Sequence, residues 1–322
     1  LLGDCPAFLT VEVPDLSDAA VARLPAPPPV PAPPTHPVTA TQNILLTGVG
    51  GTGIVTVNQL LATAAVIAGY DAELLDQIGL SQKAGQVVGH LRFGPRGALE
   101  PSNRLTPGGA DTILAFDLLT AAEPANLAYG DPRRTVAVAA TSVTPTGAEV
   151  YDRSIHQPSP GDLLARLATA TAEIVTVDLL AGTAALLGSS VAANSMLVGM
   201  AVQCGALRLP PDAIAAAIEV NGVDVRHNLA AFAWGRVAVA DPEAFAAATT
   251  PAAGPWPGSE LTQSAGEVVP ALARAAFGGK HRRLAGSRSV ALVGYQDLAT
   301  ATAYVDLVDA VWTAERAERW YK

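Results

Sequence analysis

Gly48, Gly50 and Gly53 stand in a G-x-G-x-x-G spacing, with Gly51 and Thr52 inside it. The chemistry open to that spacing is the holding of a phosphate. The first glycine permits a tight turn, the second lets a phosphate come close to the backbone, and the third lets a helix pack near a strand. A helix that starts here offers unpaired N–H groups and a partial positive charge to an anion. Asp76 follows about twenty residues on, where a dinucleotide site places the acid that holds a ribose hydroxyl. A second role for the same glycines is strand–helix packing with no ligand.

The stretch from Asp76 to Phe93 is polar first and strand-like after. It follows directly on a strand, and ligand sites of open α/β sheets gather at such strand ends. Gln82 can supply a donor there and Lys83 a positive charge. His90 and Arg92 alternate onto one face of the next strand, where they are expected to form an ion or hydrogen-bond pair at the core edge. Other chemistries find little support. The histidines at 36, 90, 156, 227 and 281 lack metal-ligand spacing. There is no G-x-S-x-G elbow, and Ser81 and Ser195 have no base near them in sequence. Asp297, Asp306 and Asp309 are expected on a solvated helical surface.

The elements that must position the glycine turn are readable from hydrophobic period. Asn43 to Thr47 is a short buried strand. The helix after the turn carries Ile54, Val57, Leu61, Ala64, Ala65 and Ala68 on one face and stops at Gly69. A strand at Ala72 to Leu75 completes an opening βαβ unit, so the fold class is α/β, a Rossmann-like doubly wound sheet. Further strands are expected at Gln86 to Phe93, Thr112 to Phe116, Thr135 to Ala140 and Ile174 to Val177. Helices are expected at Leu163 to Thr171, Ala193 to Ala206, Pro210 to Val220 and Asp224 to Trp234.

Eight of the thirteen residues from Pro25 to Pro37 are proline. Such a run is extended and acts as a semi-rigid spacer. It divides the chain into a tail of an upstream module at 1–24, a linker at 25–40, and an α/β domain at 41–248. A second linker, TTPAAGPWPG, opens a helical C-terminal extension at 249–322. There Tyr304, Leu307, Val308, Val311 and Trp312 form the expected buried stripe of a helix.

The formal net charge of −9 disfavours phosphate backbones, so no nucleic-acid partner is expected. One basic cluster, Lys280-His281-Arg282-Arg283, reads as a solvated loop or as a docking site for an acidic electron carrier. Two cysteines far apart make no disulfide framework and fit a reducing cytoplasm. Cys204 lies in an apolar stretch and reads as a core residue. No apolar run reaches the roughly 20 residues needed to span a bilayer. A first residue that is Leu fits a processed chain or a piece of a longer one.

Taken together, GVGGTGIVT and LLDQIGLSQKAGQVVGHLRF resemble the gamma-type domain of 2-oxoacid:ferredoxin oxidoreductases, and within them the indolepyruvate group. Asn194 to Gly199, Ile218 to Arg236 and Gly294 to Asp297 resemble further blocks of the long fused members, as does Gly3 to Val11. The resemblance covers about residues 1–20 and 40–315. It implies an enzyme that decarboxylates a 2-oxoacid on thiamine diphosphate, passes electrons through [4Fe-4S] clusters to ferredoxin, and gives the acyl group to coenzyme A. It implies that thiamine and clusters are held by other modules, which would be this chain's partners. Cys5 would then be a cluster ligand only together with cysteines of an upstream module. Gly50, Gly51, Thr52, Gln82 and Lys83 would shape the coenzyme A or substrate end, with Gly48 and Gly53 as further residues of the cofactor-binding loop. Two other hypotheses stand beside it: a free-standing NAD(P)- or flavin-binding oxidoreductase, and an assembly protein that keeps the fold without the reaction.

Overall fold

The structure is a computed structural model. It describes residues 24–34, 38–78, 85–142, 158–250 and 269–319. Two compact units divide the chain after Thr250.

The first unit is built on a six-stranded sheet. Its first strand, β1, spans Gln42–Val49 and is followed by α1 at Ile54–Ile67. Strands β2 (Asp71–Ile78) and β3 (Gln86–Gly94) follow. Next come β4 (Thr112–Ala115), the short helices α2 (Leu118–Ala121) and α3 (Pro124–Leu127), and β5 (Val136–Ala140). After α4 (Pro160–Ala168), β6 (Glu173–Val177) and α5 (Leu179–Leu187), the rest is helical. It comprises α6 (Ala193–Gln203), α7 (Pro211–Asn221), α8 (Val225–Ala240) and α9 (Pro242–Thr249).

The strand order is β2-β3-β1-β4-β5-β6. β1, β4, β5 and β6 run parallel, as crossover helices require. The expected opening βαβ unit is corrected in one respect. β2 does not lie beside β1, because β3 inserts between them and pairs antiparallel with both. A hairpin forms more cheaply than a second crossover, since only a short connection separates β2 from β3.

The sheet is covered on both faces, as in a doubly wound fold. Alternation along β1 sends Ile44 and Leu46 into a core shared with α1, α6, α7 and α8. Leu45 points the other way, into a core with Leu118 of α2 and Leu163 of α4. α6 and α8 approach until their backbones touch. A Cβ at Gly199 would fall on the Phe232 carbonyl, and one at Gly235 on the Met196 carbonyl.

Several strand and helix expectations need adjustment only at their ends, while α5 and α9 were not foreseen. Both follow Asp N-caps, Asp178 and Asp241, whose side chains accept from Ala181 and Ala244. The proline-rich run does not stand off as a bare spacer. Leu24 and Val30 pack against the α1-side core, and Trp234, Gln203 and Arg236 bond its carbonyls.

The second unit holds α10 (Pro270–Arg274), α11 (Gly279–Tyr295) and α12 (Leu298–Arg319) around Phe277, Leu272, Ala301 and Val305. Here three expectations are corrected. Residues 280–283 form the first turn of α11 and not a loop. In the α12 stripe, Leu307 and Val311 are exposed, and Ala301 and Val305 are the buried positions, with Tyr304, Val308 and Trp312 packed beside them. Asp297 and Asp306 are exposed as expected, Asp297 also capping the helix by accepting from the Thr300 N–H, whereas Asp309 is half-buried and accepts from the Ala276 N–H. Among the described residues no helix is long and apolar enough to cross a membrane.

Candidate functional site

The site lies at the carboxyl edge of the parallel strands. β1 ends at Val49 and the chain turns through Gly50 to Gly53 into α1. Gly51 and Gly53 both sit at φ 86°, a conformation that an L side chain adopts only at a cost. Each glycine has a distinct role. A Cβ at Gly48 would drive into the Ile54 side chain, so that glycine serves close helix–strand packing. The Gly50 N–H donates to the Gly85 carbonyl at 2.7 Å, tying the turn to the start of β3. The Thr52 hydroxyl donates to the Val49 carbonyl at 2.7 Å. From α6, the Asn194 amide donates to the Thr52 carbonyl at 2.7 Å.

No side chain caps α1, whose N-cap is Gly53. The N–H groups of its first turn therefore face the rim of this edge, the arrangement that suits an anion. Gln82 and Lys83 lie outside the described residues, as do Ser81 and Cys5. For Ser81, Gln82 and Lys83 the flanks are placed: β2 ends at Ile78 and Gly85 meets Gly50, both at this edge.

Asp76 is not the free ribose acid that its spacing suggested. It lies inside β2, opposite Gly89, and accepts from the Asn58 amide of α1 at 2.8 Å. Gly89 makes room for that amide, since a Cβ there would lie 3.1 Å from Asn58 Nδ2. Burial raises the Asp76 pKa, and the Asn58 hydrogen bond opposes that rise. With β3 between β2 and β1, this carboxylate is also one strand farther from the glycine turn than a dinucleotide site requires.

His90 and Arg92 share a face but do not pair with each other. His90 is fully buried edge-on to the Tyr129 ring, with centroids 5.2 Å apart. Both of its ring nitrogens lack a partner. Arg92 donates to Asn43 Oδ1 and to the carbonyls of Glu100 and Ser102, anchoring the loop after β3.

The α6–α8 end of the site is held by a network that sequence reasoning missed. Ser195 donates to Asn228 Oδ1 at 2.7 Å. The Asn228 amide in turn donates to the carbonyls of Val223 and Asp224. This holds Asp224 at φ 41°, a left-handed position that Asp tolerates. The available signal was the run Asn221-Gly222-Val223-Asp224 before a helix, a turn signature without an obvious ligand role. Large apolar side chains are left in solvent at the end of β2, before α6 and about the α7–α8 turn: Ile78 is 68% exposed, Val191 81%, Val220 71% and Val223 64%. Cys204 is half-buried and its thiol is pushed up in pKa, by burial first. Among the described residues no group of three His, Cys, Asp or Glu could hold a metal ion.

Comparison with known proteins follows this geometry. The profile of the pyruvate ferredoxin/flavodoxin oxidoreductase family matches residues 43–238. Indolepyruvate oxidoreductase subunit IorB of Thermococcus kodakarensis is 44% identical over 77 residues, 23% of this chain and 36% of that protein. The chain thus spans about a third of that relative's length. The IorB subunit of Archaeoglobus fulgidus is 30% identical over 160 residues, covering 49% of this chain and 74% of that one. Among solved structures, the pyruvate oxidoreductase subunit PORC of Thermotoga maritima is similar at 18% identity and a TM-score of 0.44, over 62% of this chain and 96% of that one. On the match across residues 43–238, which holds the glycine turn, the sheet and α6 to α8, the chain belongs to the pyruvate ferredoxin/flavodoxin oxidoreductase family.

Proposed function

We propose that this chain is the gamma-type module of an indolepyruvate-type 2-oxoacid:ferredoxin oxidoreductase. It supports oxidative decarboxylation of a 2-oxoacid to an acyl-coenzyme A, with electrons leaving to ferredoxin, and is inactive alone. The observation that carries this reading is the carboxyl edge itself. It joins the uncapped first turn of α1 to an exposed apolar rim of Ile78, Val191, Val220 and Val223. Exposed apolar area of this kind marks a protein contact. Unpaired N–H groups beside it suit the phosphates of coenzyme A.

Thiamine diphosphate and the [4Fe-4S] clusters belong to partner modules in this reading. A cubane cluster takes about four thiolates, and the chain has two cysteines. Cys5 can contribute one thiolate only alongside cysteines of another module. Thiamine supplies the electron sink for decarboxylation when bound. This chain's part is to close the site, keep water from it and orient the acyl acceptor. Gly50, Gly51, Thr52 and Gly53 shape the phosphate end, and Gln82 and Lys83 are the residues assigned to it from the sequence. A cytoplasmic location accords with two cysteines that lie far apart in the sequence.

The test is isolation of the native protein with its partners. A complex that carries thiamine diphosphate and iron–sulfur absorbance, and reduces ferredoxin from a 2-oxoacid, supports the reading. A lone chain of this mass without either cofactor removes it. Within the complex, Lys83→Ala is expected to raise the KM for coenzyme A at least tenfold with the 2-oxoacid KM unchanged. Unaltered kinetics would remove Lys83 from the acceptor site.

A further inference from the structure

The proline-rich run carries information that the oxidoreductase reading does not use. Seven of the eleven residues 24–34 are proline. Each proline locks its own φ near −65° and pushes the residue before it to extended angles. Covalent geometry alone therefore sets almost every residue of the run in a polyproline II helix, which has three residues per turn.

Burial follows that period. Leu24, Pro27, Val30 and Pro33 are half-buried, each three residues from the last. Pro25, Ala26, Pro29, Pro31, Ala32 and Pro34 are exposed; Pro28 is the one half-buried position off the stripe. Within the stripe, Leu24 and Val30 join the α1-side core, and Pro33 lines a cavity with Tyr70, Val202, Leu207, Leu209 and Arg236.

The polar contacts keep the same period. The Trp234 indole N–H donates to the Pro25 carbonyl at 3.0 Å. Gln203 Nε2 donates to the Pro31 carbonyl at 3.0 Å, and Arg236 reaches the same oxygen at 3.4 Å. Arg236 Nε also donates to Gln203 Oε1 at 2.9 Å, which fixes the orientation of the amide. The two bonded carbonyls are six residues apart, two turns of a three-fold helix, so both face the same side. A tryptophan donor, an amide donor and apolar slots at a period of three are how grooves recognise a preformed polyproline II ligand.

We infer that the α6–α8 face, through Trp234, Gln203 and Arg236, is a polyproline II recognition groove, and that its occupant is residues 24–34 of this same chain. The run is a ligand bound in cis and not a passive tether.

The test uses the full chain with a specific protease sequence in place of residues 35–37, cut after folding. The N-terminal piece is expected to stay with the rest through gel filtration. Excess synthetic peptide of residues 24–34 displaces it, and the same peptide with Leu24→Asp and Val30→Asp does not. Trp234→Phe keeps the volume but loses the donor, and the cut piece should leave about tenfold faster, the factor for about 1.4 kcal/mol. A piece that falls away at once overturns the inference, as does one that is held but not displaced by the 24–34 peptide. A second readout needs no cut. In the intact chain the Trp234 indole hydrogen should exchange slowly, and Leu24→Asp with Val30→Asp should speed it at least tenfold. Exchange at the open rate in the unsubstituted chain overturns the groove.

Discussion

His90 shows what burial does to a single side chain. Its pKa falls from 6.5 to about 4, because burial removes water from the charged ring and the Arg104 guanidinium then repels it. A lowered pKa means the folded chain binds this proton less readily than the unfolded one. Stability is therefore full above about pH 6.5 and falls as the pH drops through about 4, by up to about 3 kcal/mol from this residue. His90→Phe keeps the edge-on contact with Tyr129 and removes the proton site. Urea unfolding at pH 7 and pH 4 should show a smaller acid loss in the variant. Equal losses would mean that His90 does not carry the effect. Asn58 makes the opposite case, a buried donor that matters for the group it serves. Asn58→Ala leaves the Asp76 carboxylate without its donor, and a cost of about 1–3 kcal/mol is expected. Asp76→Asn keeps an acceptor and should cost less. If thermal melts rank the two variants the other way, the hydrogen bond is not what secures this position.

At the scale of elements, the contacts between helices are set by what is missing. Gly199 and Gly235 let α6 and α8 touch along their backbones. Gly235→Ala puts a methyl on the Met196 carbonyl and should cost more than about 3 kcal/mol or prevent folding. A variant that melts with the parent would show that the helices can part freely. Gly53→Ala tests a different glycine. It strains a left-handed residue by about 1–2 kcal/mol and should move the start of α1 as well as the melting temperature. These effects were only partly readable beforehand. The turn at Gly48 to Gly53 was visible because strand, glycines and helix are contiguous. Gly199 and Gly235 look like ordinary mid-helix glycines, since the partner that explains each one is more than thirty residues away.

For the molecule as a whole, charge and exposure point to protein partners. The net charge of −9 repels phosphate backbones. No retardation of duplex DNA is expected at about 50 mM salt, where non-specific binding is favoured. A salt-sensitive shift of the DNA would overturn that reading. The exposed apolar side chains Ile78, Val191, Val220 and Val223 and the face that holds residues 24–34 both lie on the first unit.

Local sequence determined most of the elements. Period and turn chemistry placed all six strands and the helices α1, α4, α6, α7 and α8, because those signals act between residues a few positions apart. The same locality explains the family resemblance, which rests on contiguous blocks. Strand order needed the tertiary structure. β3 displaces β2 from the side of β1, which moves Asp76 away from any ribose and into a bond with Asn58. Likewise Asn194 meets Thr52 across 142 residues, and Trp234 meets Pro25 across 209. Such contacts depend on which surfaces pack together once the whole core is buried, and no window of the chain contains both partners.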